Sequence, residues 1–240
     1  FKVVTGSAGI EKGGVTADQP VYPQQTEYDP RVGRPIRNFG GNSCGGNLFE
    51  VLQRSCNSAF AEMAIQQVGA EGMIETAQAY GFNDDPPPID LPGAVSSVFP
   101  TSVTTESGEE QSLDQNDGVL AQEAIGQNGV SASPLQMALA YGALANGGLL
   151  MEPRLVREVR GRDGRPVQHP CPRGGPSGLC QAGRGSERAG DRDRAYLRKI
   201  HLRDIGYPAF ESGLRISMGL YIILIKVLLH ECLFEIERTH

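Results

Sequence analysis

Tryptophan is absent, and aromatic residues make up only 6% of the chain. No histidine stands in residues 1–168; His169, His201, His230 and His240 all follow. That excludes Ser-His-Asp and Cys-His nucleophile arrangements from the first two thirds of the sequence. Lysine there is limited to Lys2 and Lys12, so a catalytic base in this part would be a lysine or a carboxylate. Long apolar runs are also missing. The strongest, residues 218–229, is interrupted by Lys226 and falls short of the ~20 apolar residues of a spanning helix; it is expected to be buried or misplaced rather than to sit in a membrane. Five cysteines, Cys44, Cys56, Cys171, Cys180 and Cys232, form an odd set without zinc-ligand spacing. In a chain this long a disulfide framework is not expected. There are no internal repeats.

What is present fits a globular chain. Its 240 residues suit one large domain or one domain with an appendage. Apolar residues at 39%, with 31 glycines and 16 prolines, allow a buried core and exclude a collagen-like or wholly disordered chain. A net charge of −6 argues against nucleic acid as a partner of the whole chain. The charge is divided unevenly. Residues 1–160 hold 9 basic and 19 acidic residues, and residues 161–240 hold 13 and 9. The two parts are built from different material. Because residue 1 is Phe, an upstream segment is expected; the first residues carry no signal-peptide pattern.

Residues 1–10 read as the end of a helix stopped by Gly13-Gly14. Strand-like pieces near Val21-Tyr22 and a turn at Gly40-Gly41-Asn42 follow. Asn47 with Glu50 is a capping-box signature for a short helix reaching Arg54. Ser55 can cap the next helix, on which Ala59, Phe60, Met63, Ala64 and Val68 recur at helical spacing up to Gly69. Met73, Ile74, Ala77 and Tyr80 predict another, ended by Gly81. Residues 83–118 read as a long loop. Ser133-Pro134-Leu135-Gln136 starts a helix that stops at Asn146-Gly147-Gly148. Residues 155–159 alternate as a strand, Asp163-Gly164 turns, and Pro166-Val167 begins the return. No apolar period continues through residues 169–194.

Two places could carry chemistry. Lys2 sits in an apolar flank of Phe1, Val3 and Val4. Burial there would disfavour the charged form and leave an amine able to accept a proton; the plainer reading is an exposed helix lysine. Ser55-Cys56-Asn57 could present a hydroxyl for proton relay and an amide for holding a carbonyl in one cleft; the plainer reading is a helix cap.

Read together, FKVVTGSAGIE at the start, LFEVLQRSCNSAFAEMAIQQVGAEGMIETAQAYGF at residues 48–82 and GQNGVSASPLQMALAYGALANGGLLMEPRLVREV at residues 126–159 resemble the transpeptidase domain of penicillin-binding proteins, closest to the membrane-anchored class B type. The resemblance covers residues 1–167. That family carries S-x-x-K, S-x-N and K-[TS]-G motifs. The resemblance implies that Lys2 is the base of S-x-x-K, and that its serine lies three positions earlier, before residue 1. It implies proton relay for Ser55 and substrate-amide contact for Asn57, with Cys56 packing rather than reacting. Gln127 and Gln136 read as structural. No Lys-Thr-Gly or Lys-Ser-Gly occurs in the 240 residues.

The fold so implied is α/β (α+β), the serine β-lactamase/transpeptidase-like fold: a helical subdomain plus an incomplete antiparallel sheet. Residues 168–240 are expected to be an unrelated or out-of-frame segment, poorly ordered, which leaves the helices short of the sheet that covers their apolar faces. The implied reaction is serine acyl transfer on D-Ala-D-Ala stem peptides of peptidoglycan, trapped by β-lactams, with no metal or organic cofactor. The chain as written would be inactive. Its expected partners are stem peptides, β-lactams and cell-wall synthesis proteins, and its membrane link is a missing N-terminal anchor on the extracytoplasmic side. Two alternatives stand beside this: a non-catalytic module binding cell-wall peptide or β-lactam, and a non-functional truncated, frame-shifted product.

Overall fold

A computed structural model describes residues 1–90, 92–104, 108–156, 158–170 and 179–181, those from 168 onward by their backbone alone. The expectations placed on residues 182–240, including the apolar run at 218–229, lie outside the described residues.

The first helix, α1 (Lys2–Glu11), is the centre of the molecule. Val4, Thr5, Gly6, Ser7, Ala8 and Gly9 are all buried along it, as expected of a helix enclosed by protein on every side. Small side chains make this enclosure possible. A Cβ on Gly9 would stand 2.6 Å from Met63 Sδ and 3.2 Å from Val15 Cγ2, closer than atoms pack. Around α1 pack α2 (Leu48–Gln53), α3 (Asn57–Met63), α4 (Gly69–Ala79) and α6 (Pro134–Ala145). A π-helical turn at Ala64–Val68 joins α3 to α4 and also contacts α1. Gly69, at φ +76°, marks the change of direction.

Helix boundaries follow the capping chemistry. Asn47 and Glu50 form the full reciprocal capping box of α2. The Ser133 hydroxyl accepts from Gln136 N, and Pro134 takes the first position of α6. Gln136 is buried, and its side-chain amide donates to the Tyr80 carbonyl, tying α6 to the end of α4. A helix not expected from sequence, α5 (Asp117–Ala124), is capped by Asn116. Its signal was the Asn116-Asp117 pair before Val119 and Leu120.

Two apolar clusters flank α1. Phe1, Phe82 and Phe99 anchor one: Phe1 meets Phe82 edge-on at 5.3 Å and stacks on Phe99 at 5.6 Å, each contact worth about 0.5–1.5 kcal/mol beyond burial. Val15, Tyr22, Leu48, Val51, Phe60 and Met63 build the other. Tyr80 belongs to the first cluster, and its buried hydroxyl shares a 2.7 Å hydrogen bond with Ser7 Oγ of α1.

The strands form four small antiparallel sheets among the described residues. The first pairs β1 (Tyr22–Gln25) with β4 (Cys44–Gly46), and the second β2 (Glu27–Tyr28) with β3 (Ile36–Arg37). The stretch 83–118 is not one loop. It contains a hairpin of β5 (Ser102–Thr104) and β6 (Glu110–Ser112), and then a 3₁₀ turn at Leu113–Gln115. The last sheet runs β7 (Val159–Arg160), β8 (Pro166–Pro170) and β9 (Leu179–Gln181). The hairpin turn falls where Asp163-Gly164 predicted it, but the strand before it is shorter than residues 155–159. The Asp90 carboxylate takes the Leu155 and Val156 amides instead, at 2.8 and 2.7 Å. The third strand continues pairing into a stretch whose sequence has no apolar period. The architecture is thus a helical subdomain with small antiparallel sheets, an α/β fold. No helix among the described residues is long and apolar enough to cross a membrane.

Glu123 of α5 is fully buried, and neither carboxyl oxygen has a hydrogen-bond partner among the described residues. Burial pushes this carboxyl up to about 8. The folded protein therefore keeps a proton that the unfolded chain releases near 4.5. Stability is expected to fall as pH rises from about 4.5 toward 8, by on the order of a few kcal/mol. Urea unfolding at several pH values should show that slope, and Glu123→Gln should flatten it.

Candidate active site

α1 delivers Lys2 to the rim of the molecule. The body of the helix is fixed by burial, so its first residue is fixed too, and Lys2 is half-buried. The turn between α2 and α3 brings Ser55 to meet it. Lys2 Nζ donates to Ser55 Oγ at 2.8 Å, across 53 residues of sequence.

Ser55 is not the cap of α3. Its φ is +55°, a left-handed conformation that serine seldom adopts. The N-cap is Cys56, which makes no side-chain capping bond. The left-handed turn points the Ser55 hydroxyl toward α1, and the capping work falls to other residues. Asn38 does it from a distance: its side-chain carbonyl accepts from Ser58 N at 2.9 Å, and its amide donates to Ser58 Oγ at 2.9 Å and to the Gln25 carbonyl at 2.8 Å. Asn38 and Ser58 are both buried. Sequence reading did not find Asn38. It follows Arg37 at the end of β3, and no spacing rule links it to α3.

Asn57, the first residue of α3, is half-buried. Its amide nitrogen donates to the Arg37 carbonyl at 2.9 Å. Cys56 is fully buried and forms a disulfide with Cys44 of β4, Cα to Cα 5.9 Å and 12 residues apart. It is a single bridge rather than a framework of several, and sequence reading did not name it. Closing a loop of this length is worth about 3 kcal/mol in the chain-entropy account. The bond was illegible because residue count and spacing name no pair; the pairing of Gln25 with Cys44 in the β1–β4 ladder is what brings Cys44 alongside α3.

Four successive residues are therefore held by three different segments, since Arg37 and Asn38 are neighbours. Ser55 is tied to α1, Cys56 to β4, Asn57 to Arg37 of β3, and Ser58 to Asn38. A half-exposed amine hydrogen-bonded to a hydroxyl, with an amide two residues further on, can pass a proton along a short path and present a donor at its side. Among the described residues, no group of three His, Cys, Asp or Glu is placed to hold a metal ion.

The ties differ in cost of removal. Asn38→Ala leaves a buried Ser58 amide and hydroxyl short of partners, at about 1–3 kcal/mol per group. It is expected to destabilise the fold by about 2–4 kcal/mol in urea unfolding. Asn57→Ala, whose single bond lies at the surface, is expected to cost under about 1 kcal/mol.

Comparison with known proteins gives the family of the chain. Residues 1–175 match the transpeptidase family, described as the penicillin binding protein transpeptidase domain. The peptidoglycan D,D-transpeptidase PbpA of Mycolicibacterium smegmatis is 32% identical over 167 residues, 68% of this chain and 31% of that protein. The chain thus spans about a third of the length of the curated relatives it matches. The penicillin G acyl-enzyme complex of penicillin-binding protein A from M. tuberculosis superposes with a TM-score of 0.60 at 23% identity, over 83% of this chain and 40% of that one. The complex of penicillin-binding protein PBP2 with MreC from Helicobacter pylori gives a TM-score of 0.54 at 22% identity, over 64% and 28%. With a matching family across most of its length and the same fold, the chain belongs to the penicillin-binding protein transpeptidase domain family.

Proposed function

We propose that this chain is part of a peptidoglycan D,D-transpeptidase and that Lys2, Ser55 and Asn57 are its site residues. The 2.8 Å contact of Lys2 Nζ with Ser55 Oγ is the observation that carries the reading. A serine three positions before Lys2 would lie one helical turn away, on the same face as the amine. Its hydroxyl attacks the carbonyl of the penultimate D-Ala, and its proton passes to Lys2. Ser55 then carries a proton to the departing D-Ala nitrogen. The acyl group is finally taken by an amine of a neighbouring stem peptide. Asn57 holds the substrate backbone carbonyl beside the reacting bond. β-Lactams, which carry a strained amide in the same place, acylate the serine and stay. The M. tuberculosis relative captured as a penicillin G acyl-enzyme supports that partner, and the relative solved with MreC supports cell-wall synthesis proteins as others.

The site would face the outside of the cytoplasmic membrane, held there by an upstream anchor. The Cys44–Cys56 disulfide supports that side, because such bonds persist in oxidising compartments. Residues 1–167 form the partial transpeptidase domain in this reading, and residues 168–240 an unrelated or out-of-frame segment, with the family match running on to residue 175. The change in charge and composition after Gln168 supports the division. No Lys-Thr-Gly or Lys-Ser-Gly occurs in the 240 residues, which favours, as a second reading, binding of cell-wall peptide without turnover.

Residues 1–240 alone are expected to take no covalent fluorescent penicillin. A chain extended with a serine three positions before Lys2, and completed by a Lys-Thr-Gly strand, is expected to be labelled. Lys2→Ala in that chain should abolish labelling, and Asn57→Ala should slow it by at least about tenfold. Undiminished labelling of Lys2→Ala would contradict the assigned base. Reversible β-lactam binding without an adduct in the completed chain would favour the second reading.

A further inference from the structure

Asn57 is held by a carbonyl at the end of a loop, and that loop is seated on a helix outside the site. The Asn57 side-chain nitrogen donates to the Arg37 carbonyl at 2.9 Å. A flipped amide would set Oδ1 against that carbonyl oxygen, so this bond decides which atoms Asn57 turns to the cleft. Residues 30–35 lead into β3 as Pro-Arg-Val-Gly-Arg-Pro, with a proline at each end to limit the freedom of the backbone. Two contacts seat this strap on the start of α5. Arg31 Nε donates to Asp117 Oδ2 at 2.7 Å, and that carboxylate is buried, at 8% side-chain exposure. Beside it the two backbones touch. A Cβ on Gly118 would stand 2.8 Å from Gly33 Cα and would also collide with the Val32 carbonyl oxygen. Past the strap, Ile36 of β3 is buried in one cluster with Ala121 of α5 and Ala61 of α3. β3 thus lies against both helices, one carrying Asn57 and one carrying the seat of the strap.

We propose that Asp117 and Gly118 of α5, with Arg31 and Gly33 of the strap they seat, are positioning residues for Asn57. α5 sets the height of the strap, the strap sets the Arg37 carbonyl, and that carbonyl sets the Asn57 amide. This rests on the function proposed above, in which that amide holds a substrate carbonyl. The four residues act through Arg37 and are assigned no contact with substrate. An ion pair whose arginine is this exposed, at 82%, adds little stability by itself; its use is to hold a distance. The effect falls on substrates that offer Asn57 a carbonyl. It spares the contact of Lys2 with Ser55, which α1 supplies from another side of the turn. The outcome is discrimination between substrates rather than the proton transfer itself.

Gly118→Ala separates this role from plain stability, because alanine is the better helix former while its Cβ pushes the strap off α5. Two backbone amides report on the strap: Asn38 N, which donates to the Thr26 carbonyl, and Ser58 N, which donates to the Asn38 side chain. In hydrogen exchange on residues 1–240, both should exchange about tenfold faster in Gly118→Ala, with α1 and α4 unchanged. Unchanged exchange at both, or faster exchange throughout the molecule, would overturn the proposal. The completed, serine-bearing chain is then given two probes. Penicillin G carries a side-chain amide with a carbonyl for Asn57, and 6-aminopenicillanic acid is the same nucleus with a bare amine there. Gly118→Ala should slow acylation by penicillin G about tenfold and by 6-aminopenicillanic acid less than about twofold. Equal slowing of the two, or of neither, would assign these residues to general stability and overturn the positioning role. Arg31→Ala and Asp117→Asn should each lower the preference for penicillin G about threefold, and the double variant no further than either one; additive losses would show that the pair does not act as a unit. If the unsubstituted completed chain takes no penicillin, the functional reading fails, while exchange at Asn38 and Ser58 still decides whether α5 holds the strap.

Discussion

The burial of α1 is the constraint on which the rest depends. A lysine at the first position of a helix is held only as firmly as the helix behind it. Here that helix is enclosed along Val4 to Gly9, and its small residues let Met63 and Val15 approach within a few ångström of its axis side. The enclosure has a cost in variety: Gly6, Ser7, Ala8 and Gly9 contribute little apolar area of their own. The larger neighbours supply it, with Phe1 against Phe82 and Phe99 at one end and Phe60 and Met63 at the other. The polar groups that this burial traps are paired within the same core, Ser7 with Tyr80 and Thr5 with the Ala124 carbonyl. A rigid rod of this kind fixes the backbone of Lys2, and the bond to Ser55 fixes its amine.

The opposite half of the site is held differently. The turn at residues 55–58 opens on a left-handed residue, and it is positioned by bonds to three distant segments. Each hydrogen bond contributes about 1 kcal/mol net, and the disulfide about 3 kcal/mol. Their value lies less in that sum than in direction, since anchors on three separate segments leave the turn one position. Two short sheets that look marginal in isolation, β1–β4 and β2–β3, supply two of those anchors through Cys44 and Arg37.

This division explains what the sequence revealed. Helix limits governed by local chemistry were legible: the Asn47–Glu50 box, the Ser133-Pro134 start and the Gly69 stop. Lys2, Ser55 and Asn57 were named through the family resemblance, and the structure brings Lys2 and Ser55 into contact. Features governed by tertiary ties were not. The capping role passed from Ser55 to Asn38 because a left-handed residue cannot cap, and nothing near Asn38 in sequence announces that task. The disulfide depended on strand register, and the strand expected at residues 155–159 lost its beginning to the Asp90 carboxylate. Helix α5 was overlooked because its cap follows directly on a polar stretch that reads as loop.

The central claim is that Lys2 and Ser55 form a working pair serving a serine one turn before Lys2. Peptide mapping by mass spectrometry of a completed chain, after exposure to penicillin G, tests it most directly. The account predicts one penicilloyl adduct, on the serine three positions before Lys2, with Ser55 unmodified. An adduct on Ser55 or Ser58 would make the turn itself the nucleophile and contradict the relay role. A completed, folded chain with no adduct at all would contradict the acyl-transfer reading.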